Sequence, residues 1–222
     1  QKDGDQDSRM NSIESDAKGT KQTISEIQTT QGKQSGSIST LQSRADSFDA
    51  TVTKVNNLQV GGRNYFLNSS GNSLDKWNNY SGNWSIYSSA NRGNVFVIKP
   101  TTTWTGGPTN SVSQGGLNNL IGSQVTVSFW AKSDINGGKF HSEPSGGSVS
   151  YDVVLTTTWS KYSYTIPALK TGVIYFMAVD AGTTYFLNNL KLEIGNTATD
   201  WTPAPEDVDS ATAKAQLTAD QA

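Results

Sequence analysis

With 222 residues, of which 16% are charged, the chain has room for one β-domain with additional helical segments or for two small domains. It contains no cysteine, which excludes disulfides, thiolate metal sites and a catalytic thiol. The net charge of −2, without a basic stripe, argues against a nucleic-acid partner, and no apolar run reaches the roughly 20 residues that a membrane partner would require.

Residues 1–9 contain three aspartates that alternate from Asp3, and Glu14 follows at the spacing of a calcium-binding EF loop. The sixth position of such a loop is Ser8, where the sharp turn requires glycine, and no apolar helix precedes it. We therefore predict a solvated acidic tail over residues 1–9.

Residues 10–58 carry a stripe at alternating intervals of three and four residues. The stripe consists of Met10, Ile13, Ala17, Thr20, Ile24, Ile27, Gln31, Gln34, Ile38, Leu41, Ala45, Phe48, Val52 and Val55. This spacing predicts a coiled coil. The glycines, serines and threonines between these positions are poor helix formers, so the helix needs partner chains.

The composition of the stripe favours three chains. Isoleucine at both positions of the Ile24 and Ile27 layers favours a trimer over a dimer, and the polar layers at Gln31 and Gln34 would fix the register. We predict a homotrimer. The alternative is a single amphipathic helix packed on its own domain.

The aromatic residues are concentrated between residues 61 and 205, which contain all six Trp, all eight Tyr and six of the seven Phe. Strands are predicted at 65–68, 84–88, 94–99, 124–132, 148–155, 159–166, 173–179 and 185–194, separated by Gly, Asn, Ser and Pro. This pattern predicts a mainly β domain, a jelly-roll β-sandwich over residues 61–205.

The last of these strands leads into a junction. Apolar residues alternate from Phe186 to Ile194, with Lys191 and Glu193 on the opposite, polar face. Trp201 and two prolines follow, and the acidic residues after them suit the positive end of a helix dipole.

We predict a second coiled coil that begins over residues 206–222 and continues past Ala222. Trp201, like Trp159, is assigned to packing.

Three stretches resemble a known family. GGRNYFLNSSG, VTVSFWAKSD, and TWSKYSYTI together with YFLNNLKLEIGNTATDWTPAPED are similar to the carbohydrate-binding modules of receptor-binding and baseplate tail proteins from phages of Gram-positive bacteria, of the lactic streptococcal type. The resemblance covers residues 61–207. It implies a jelly-roll module on a trimeric stalk that recognises host cell-wall polysaccharide.

This resemblance also implies a location in the virion, at the tail tip or baseplate, with other tail proteins as partners. Two other functions stay open: a structural spacer of a tail fibre without glycan binding, and a wall-polysaccharide hydrolase. A hydrolase needs two carboxylates across the sugar bond, and Glu143 with Asp152 is the pair that the sequence offers. We expect no enzymatic activity.

In related sandwich modules the strand matching Leu187–Leu192 often carries an aspartate that ligates a structural calcium ion. Asn188 and Asn189 occupy these positions here, and the loss of the charge weakens a site built from hard oxygen ligands. No cofactor is predicted. A structural calcium ion and a hydrogen-bonded sandwich end stay open as alternatives.

Saccharide sites pair an aromatic platform with a few planar polar groups, so aromatic residues that face water are the candidates. In QVTVSFWAK, alternation places Trp130 opposite the core side. Trp104 lies in a Gly- and Pro-rich segment without apolar neighbours. Each is either a ligand platform or an anchor that packs under a loop.

A second aromatic group occurs in DKWNNYSGNW, where Trp77 and Tyr80 are candidates for ligand binding and Trp84 is assigned to the core. His141, the one histidine, lies in a turn-rich segment and is predicted to contact the rim of the site, with a solvated side chain as the alternative. Asp152 completes the predicted carbohydrate-binding set.

Overall fold

The computed structural model describes residues 2–147, 149–209 and 211–212, and the chain forms two compact units, Gln1–Asn57 and Leu58–Ala222. The first unit is a single helix, α1, over Lys2–Asn56, with no buried residue. The helix begins well before Met10, so residues 3–9 are helical where the sequence predicts a tail. Asp3 and Asp5 lie in its first turn, where the helix dipole favours negative charge.

The apolar residues of α1 are exposed, from 38% for Val52 to 67% for Phe48. Many serine and threonine hydroxyls donate to the carbonyl four residues earlier, as Thr20 does to Asp16 at 2.8 Å, which does not stabilise a helix. Within one chain this helix therefore lacks the packing that normally maintains a helix in water. Among the described residues, no helix combines the length and apolar character of a membrane span.

The second unit is a β-sandwich, as predicted, of two antiparallel five-stranded sheets. The strands are β1 (Asn78–Asn79), β2 (Ser85–Ser89), β3 (Gly93–Ile98), β4 (Ser111–Gln114), β5 (Val125–Ser133), β6 (Gly138–Pro144), β7 (Tyr151–Leu155), β8 (Ser160–Ile166), β9 (Ile174–Ala178) and β10 (Tyr185–Ile194). The first sheet has the order β1-β4-β9-β6-β7 and the second β2-β3-β10-β5-β8.

Three of these strands are not predicted from the sequence. β1 is only two residues long, β4 consists of SVSQ, and β6 contains the turn formers glycine and proline, so none has a clear apolar alternation. β4 and β6 form because both pair with the apolar strand β9, and β1 pairs in turn with β4. Residues 65–68, predicted as a strand, are instead a loop whose Tyr65 amide donates to Leu192 O at 2.9 Å.

Strand β10 has a bulge that changes which residues face the core. Asn189 has a φ of 53°, and the register with β5 shifts at this point. Leu187 before the bulge and Leu190 after it therefore both face the core, although they are three residues apart. Phe186 lies on the outward side of the sheet, and Ile194 is exposed. The predicted unbroken alternation from Phe186 to Ile194 is wrong for this reason.

Trp77 belongs to the core, which corrects its prediction as a ligand platform. Its side chain is 6% exposed and packs against Phe66 at 5.4 Å, Phe96 at 5.5 Å and Phe176 at 6.1 Å between ring centroids. Its indole N–H donates to the carbonyl of Asn68 at 3.2 Å. The loop around Trp77 is polar, but its ring fills the space between the sheets. Trp84 is buried in the same core, as predicted.

Asn64 connects the loop before β1, strand β10 and the segment that follows β10, and it is fully buried. Its amide nitrogen donates to Ser69 Oγ at 3.0 Å, to Leu190 O at 3.1 Å and to Thr202 O at 3.0 Å. Its side-chain oxygen accepts from the backbone N–H groups of Phe66 at 3.0 Å and Leu192 at 3.2 Å. A single side chain thus satisfies backbone groups of three separate segments.

Lys191 and Glu193 point outward from β10 but are buried, with side-chain exposures of 1% and 0%. The segment after β10 covers them: Lys191 Nζ donates to Thr199 Oγ1 at 2.5 Å and to Asp200 O at 2.8 Å. Glu193 accepts from the backbone N–H and the hydroxyl of Thr199 at 2.8 and 2.7 Å. The predicted polar face is therefore an enclosed ion pair, at 3.5 Å.

The two ends of the sandwich lie side by side. Val60 and Thr197 form a parallel bridge, and Asn196 N donates to Gln59 O at 2.9 Å. Gly195 has a φ of 114°, and a Cβ there would lie 2.2 Å from Gln59 O, so only glycine allows this approach. After this contact the chain reaches a short helix over residues 205–209 and 211–212. The rest of the predicted second coiled coil lies outside the described residues.

Candidate functional site

The outward side of the first sheet collects most of the residues that the sequence singles out. Alternation on β6 directs Phe140 and Ser142 inward and His141 and Glu143 outward, and alternation on β9 directs Tyr175 outward. We call this surface the Trp104 face. Its members are Tyr80, Trp104, His141, Glu143, Asp152, Tyr175 and Met177.

His141 is the centre of the Trp104 face, with a side chain only 7% exposed. Its Nδ1 lies 2.7 Å from Asp152 Oδ1 on the neighbouring strand β7. Its Nε2 lies 3.4 Å from Glu143 Oε2, without the geometry of a hydrogen bond. The imidazole is thus held between two carboxylates. The prediction that His141 contacts the rim underestimates its burial, because Trp104 covers it.

The Trp104 ring stacks on the His141 ring, with centroids 4.7 Å apart and planes at 28°. Its backbone N–H donates to Val179 O at 2.8 Å, and its indole N–H donates to Gly107 O at 2.7 Å. Asn110 fixes the same loop by donating to Thr102 O at 2.7 Å. The ring is therefore held against His141, where it forms a wall of this face and is not an anchor in the core.

A cleft of about 190 Å³ opens beside this wall. Its lining consists of Gly107, Pro108, Glu143, Ser145, Gly146, Tyr175 and Met177. The Tyr80 ring lies 5.9 Å from the Tyr175 ring, which extends the aromatic lining beyond the cleft. Burial, and then the neighbouring Tyr80 phenol, raise the pKa of Tyr175, so its hydroxyl stays neutral at physiological pH. It can both donate and accept a hydrogen bond.

Two buried polar atoms of the first sheet have no hydrogen-bond partner among the described residues: His141 Nε2 and Ser113 Oγ. Both lie on the outward side, since Ser113 on β4 is paired with Tyr175 on β9. A buried polar atom without a partner costs free energy, so such atoms mark places where a ligand group or water can bind.

The predicted site residues do not form one site. The structure brings together Trp104, Tyr80, His141 and Asp152, and it places Trp130 on the outward side of the second sheet. The outward orientation of Trp130 agrees with the sequence. However, the guanidinium of Arg92 lies 4.0 Å from its ring centroid, so one face of the indole is already covered.

Sequence reasoning missed Tyr175 and Met177 and considered Glu143 only as a catalytic carboxylate. The signal for Tyr175 was present, because Ile174, Phe176 and Ala178 alternate with it along β9. The signal for Met177 was weaker, since a methionine between apolar residues reads as core.

The calcium candidates do not fit a metal site. Asn188 donates through its amide nitrogen to Ser70 O at 2.5 Å and Asn94 O at 3.1 Å, so both carbonyls already bind an N–H donor where a cation would have to lie. Asn189 is the bulge residue of β10. In the part of the chain that is described, no three His, Cys, Asp or Glu side chains are grouped to hold a metal ion.

No protein-family model and no curated protein sequence match this chain. Among solved structures, the chain is similar to TmCBM61 in complex with beta-1,4-galactotriose, with 18% identity and a TM-score of 0.44 over 59% of this chain and 98% of that chain. The CBM22-1 xylan-binding domain of Xyn10C from Paenibacillus barcinonensis has 15% identity and a TM-score of 0.42 over 59% and 94%.

A further similar structure is the enzymatically active domain of tailspike protein 4 from bacteriophage CBA120. It is 15% identical, with a TM-score of 0.41, and the match covers 59% of this chain and 21% of that chain. Carbohydrate-binding modules are thus frequent among the similar structures, and each likeness is partial in sequence and in structure.

Proposed function

We propose that this chain is a component of a phage tail, at the tail tip or baseplate, and that the Trp104 face binds neutral saccharide of the Gram-positive host cell wall. The sequence resemblance over residues 61–207 supports the phage origin. The geometry of the Trp104 face supports saccharide as the ligand, because an aromatic wall stands beside planar polar groups in an open cleft.

The observation that carries this proposal is the arrangement around His141. Its imidazole, stacked under Trp104 and held by Asp152, keeps Nε2 without a hydrogen-bond partner beside the Glu143 carboxylate. A sugar hydroxyl can both donate and accept a hydrogen bond, so it can pair with Nε2 in either tautomer of the imidazole beside the Glu143 carboxylate. We propose binding without catalysis. Hydrolysis would need two carboxylates across the sugar bond, whereas Glu143 and Asp152 both lie against the His141 imidazole.

Trp104→Ala is expected to weaken saccharide binding by about tenfold or more, equivalent to about 1.4 kcal/mol, because the stacking wall is lost. The measurement is an array of purified cell-wall polysaccharides from Gram-positive bacteria, followed by titration of each polysaccharide that binds.

Ile121→Ala serves as the control, since it removes an apolar side chain that is 49% exposed and lies outside the Trp104 face. It should leave the affinity unchanged. Equal affinity of wild type and Trp104→Ala for the polysaccharide would show that Trp104 is not part of the binding site. No binding to any polysaccharide or to cells would favour the structural spacer.

We further propose that α1 is one strand of a homotrimeric coiled coil. The exposed stripe from Met10 to Val55, including Ile24 at 50% and Ile27 at 51%, supplies the apolar surface that two further copies would cover.

Ile27→Asn is expected to dissociate the trimer, because it buries an amide in each of three chains at about 1–3 kcal/mol each. Sedimentation equilibrium of the full chain measures the assembled mass. Thr29→Asn introduces the same residue outside the stripe and should leave the mass at three chains. A wild-type mass of one or two chains would contradict the trimer.

A further inference from the structure

The outward side of the second sheet carries a second group of rings, interleaved with cations. We call it the Arg92 face. Its members are Tyr87, Arg92, Trp130, Lys132, Trp159 and Phe186. Alternation brings Trp130 and Lys132 to this side of β5, and Phe186 of β10 lies directly opposite Lys132.

The rings and cations form a continuous ladder. Arg92 lies 4.0 Å from the Trp130 centroid and 5.0 Å from the Trp159 centroid. Lys132 lies 5.9 Å from Trp159 and 4.9 Å from Phe186. The Tyr87 ring contacts the Phe186 ring at 5.9 Å. Each cation is therefore positioned by two aromatic rings.

Neither cation of this ladder forms an ion pair with a described carboxylate, whereas two other lysines of the same side do. Lys161 lies 3.7 Å from Asp200, and Lys191 lies 3.5 Å from Glu193. Partial burial lowers the pKa of Arg92, yet a guanidinium stays charged at neutral pH. The Arg92 face thus presents two positive charges that no described carboxylate neutralises.

This arrangement suits a ligand different from that of the Trp104 face. A neutral sugar stacks on a free ring face, and Arg92 already covers one face of the Trp130 ring. An anionic group can instead bind Arg92 and Lys132, while the exposed Tyr87 ring remains available for stacking against a sugar.

We propose that the Arg92 face is a second glycan-binding surface, which takes an anionic saccharide polymer bearing carboxylate or phosphate groups. Charge complementarity carries this choice of ligand. The two faces lie on different sheets, so the proposal does not depend on saccharide binding by the Trp104 face.

The test is titration of the full chain with a phosphorylated galactan, with polygalacturonate and with a neutral galactan of similar length, at low and at physiological salt. Arg92→Gln combined with Lys132→Gln is expected to weaken binding of the anionic polymer by about tenfold and to leave galactan binding unchanged. The two anionic polymers distinguish phosphate from carboxylate. Wild-type affinity should fall as salt rises.

The control is Lys76→Gln combined with Lys170→Gln, which removes the same charge from exposed positions outside the ladder. It should change the affinity by less than about twofold, because charges at a distance are screened. Trp104→Ala should bind the anionic polymer as wild type does, which separates this surface from the Trp104 face. Trp fluorescence during unfolding verifies that each variant folds. The single variant Lys132→Gln should still weaken binding of the anionic polymer about threefold.

Three results would overturn the proposal. The first is an equal loss of affinity in the control, which would indicate general charge attraction. The second is no binding of either anionic polymer at low salt. The third is tighter binding of single-stranded oligothymidylate than of both anionic polymers, since rings and cations also bind single strands.

Discussion

Asn64→Ala is expected to reduce the free energy of unfolding of the sandwich by about 4 kcal/mol or more. The N–H groups of Phe66 and Leu192 would lose their acceptor in a site that water does not reach, and each such group costs about 1–3 kcal/mol. The cavity left by the amide adds to this cost. A domain of this kind has only about 5–15 kcal/mol in total, so the variant would be marginal.

Urea unfolding followed by Trp fluorescence measures this effect, and the signal reports only on the sandwich because all six Trp lie between residues 61 and 205. Asn72→Ala, at an exposed position, is the matched control and should stay within about 0.5 kcal/mol of wild type. A loss below about 1 kcal/mol for Asn64→Ala would show that water replaces the missing bonds.

Lys191→Met is expected to cost about 3–5 kcal/mol, because it leaves the Glu193 carboxylate buried without its cation. The loss should also release the segment around Thr199, which depends on both side chains. Amide hydrogen exchange of Thr199 should therefore accelerate in the variant more than exchange in the core strands does.

Lys161→Met offers a closely matched comparison. Lys161 donates to Thr199 O at 2.8 Å and lies 3.7 Å from Asp200, so it binds the same segment, but its side chain is 29% exposed. The expected cost is below about 1 kcal/mol, as for other ion pairs that water reaches. Equal costs for the two lysines would mean that burial does not decide the strength of these contacts.

The sequence predicted the β-sandwich because apolar alternation is local. Val125, Val127, Phe129 and Ala131 all face the core, as the period of two in β5 requires. The same rule failed in β10, since nothing in LNNLKLEI distinguishes an unbroken strand from one with a bulge at Asn189. Contacts outside the strand also matter. The alternation of β10 predicts that Lys191 and Glu193 are exposed, but the segment around Thr199, which follows the strand, folds back and covers both side chains.

The candidate site was partly predictable for a related reason. Trp104, His141 and Asp152 are unusual residues for their surroundings, and the fold brings all three to one face. Trp77 was also unusual in its polar loop, but the space between the sheets accepts its ring. Which of two isolated tryptophans enters the core depends on the paths of both loops, and no local pattern encodes these paths.

The parallel contact between the two ends of the sandwich has a mechanical consequence. Because residues 59–61 and 195–197 run in the same direction, tension applied to the chain outside both ends would pull these segments along each other in shear. The bonds between Gln59 and Asn196 would then carry the load together. The strands between them would stay unloaded until this contact yields, so a tethered chain under load could keep both of its outward faces folded.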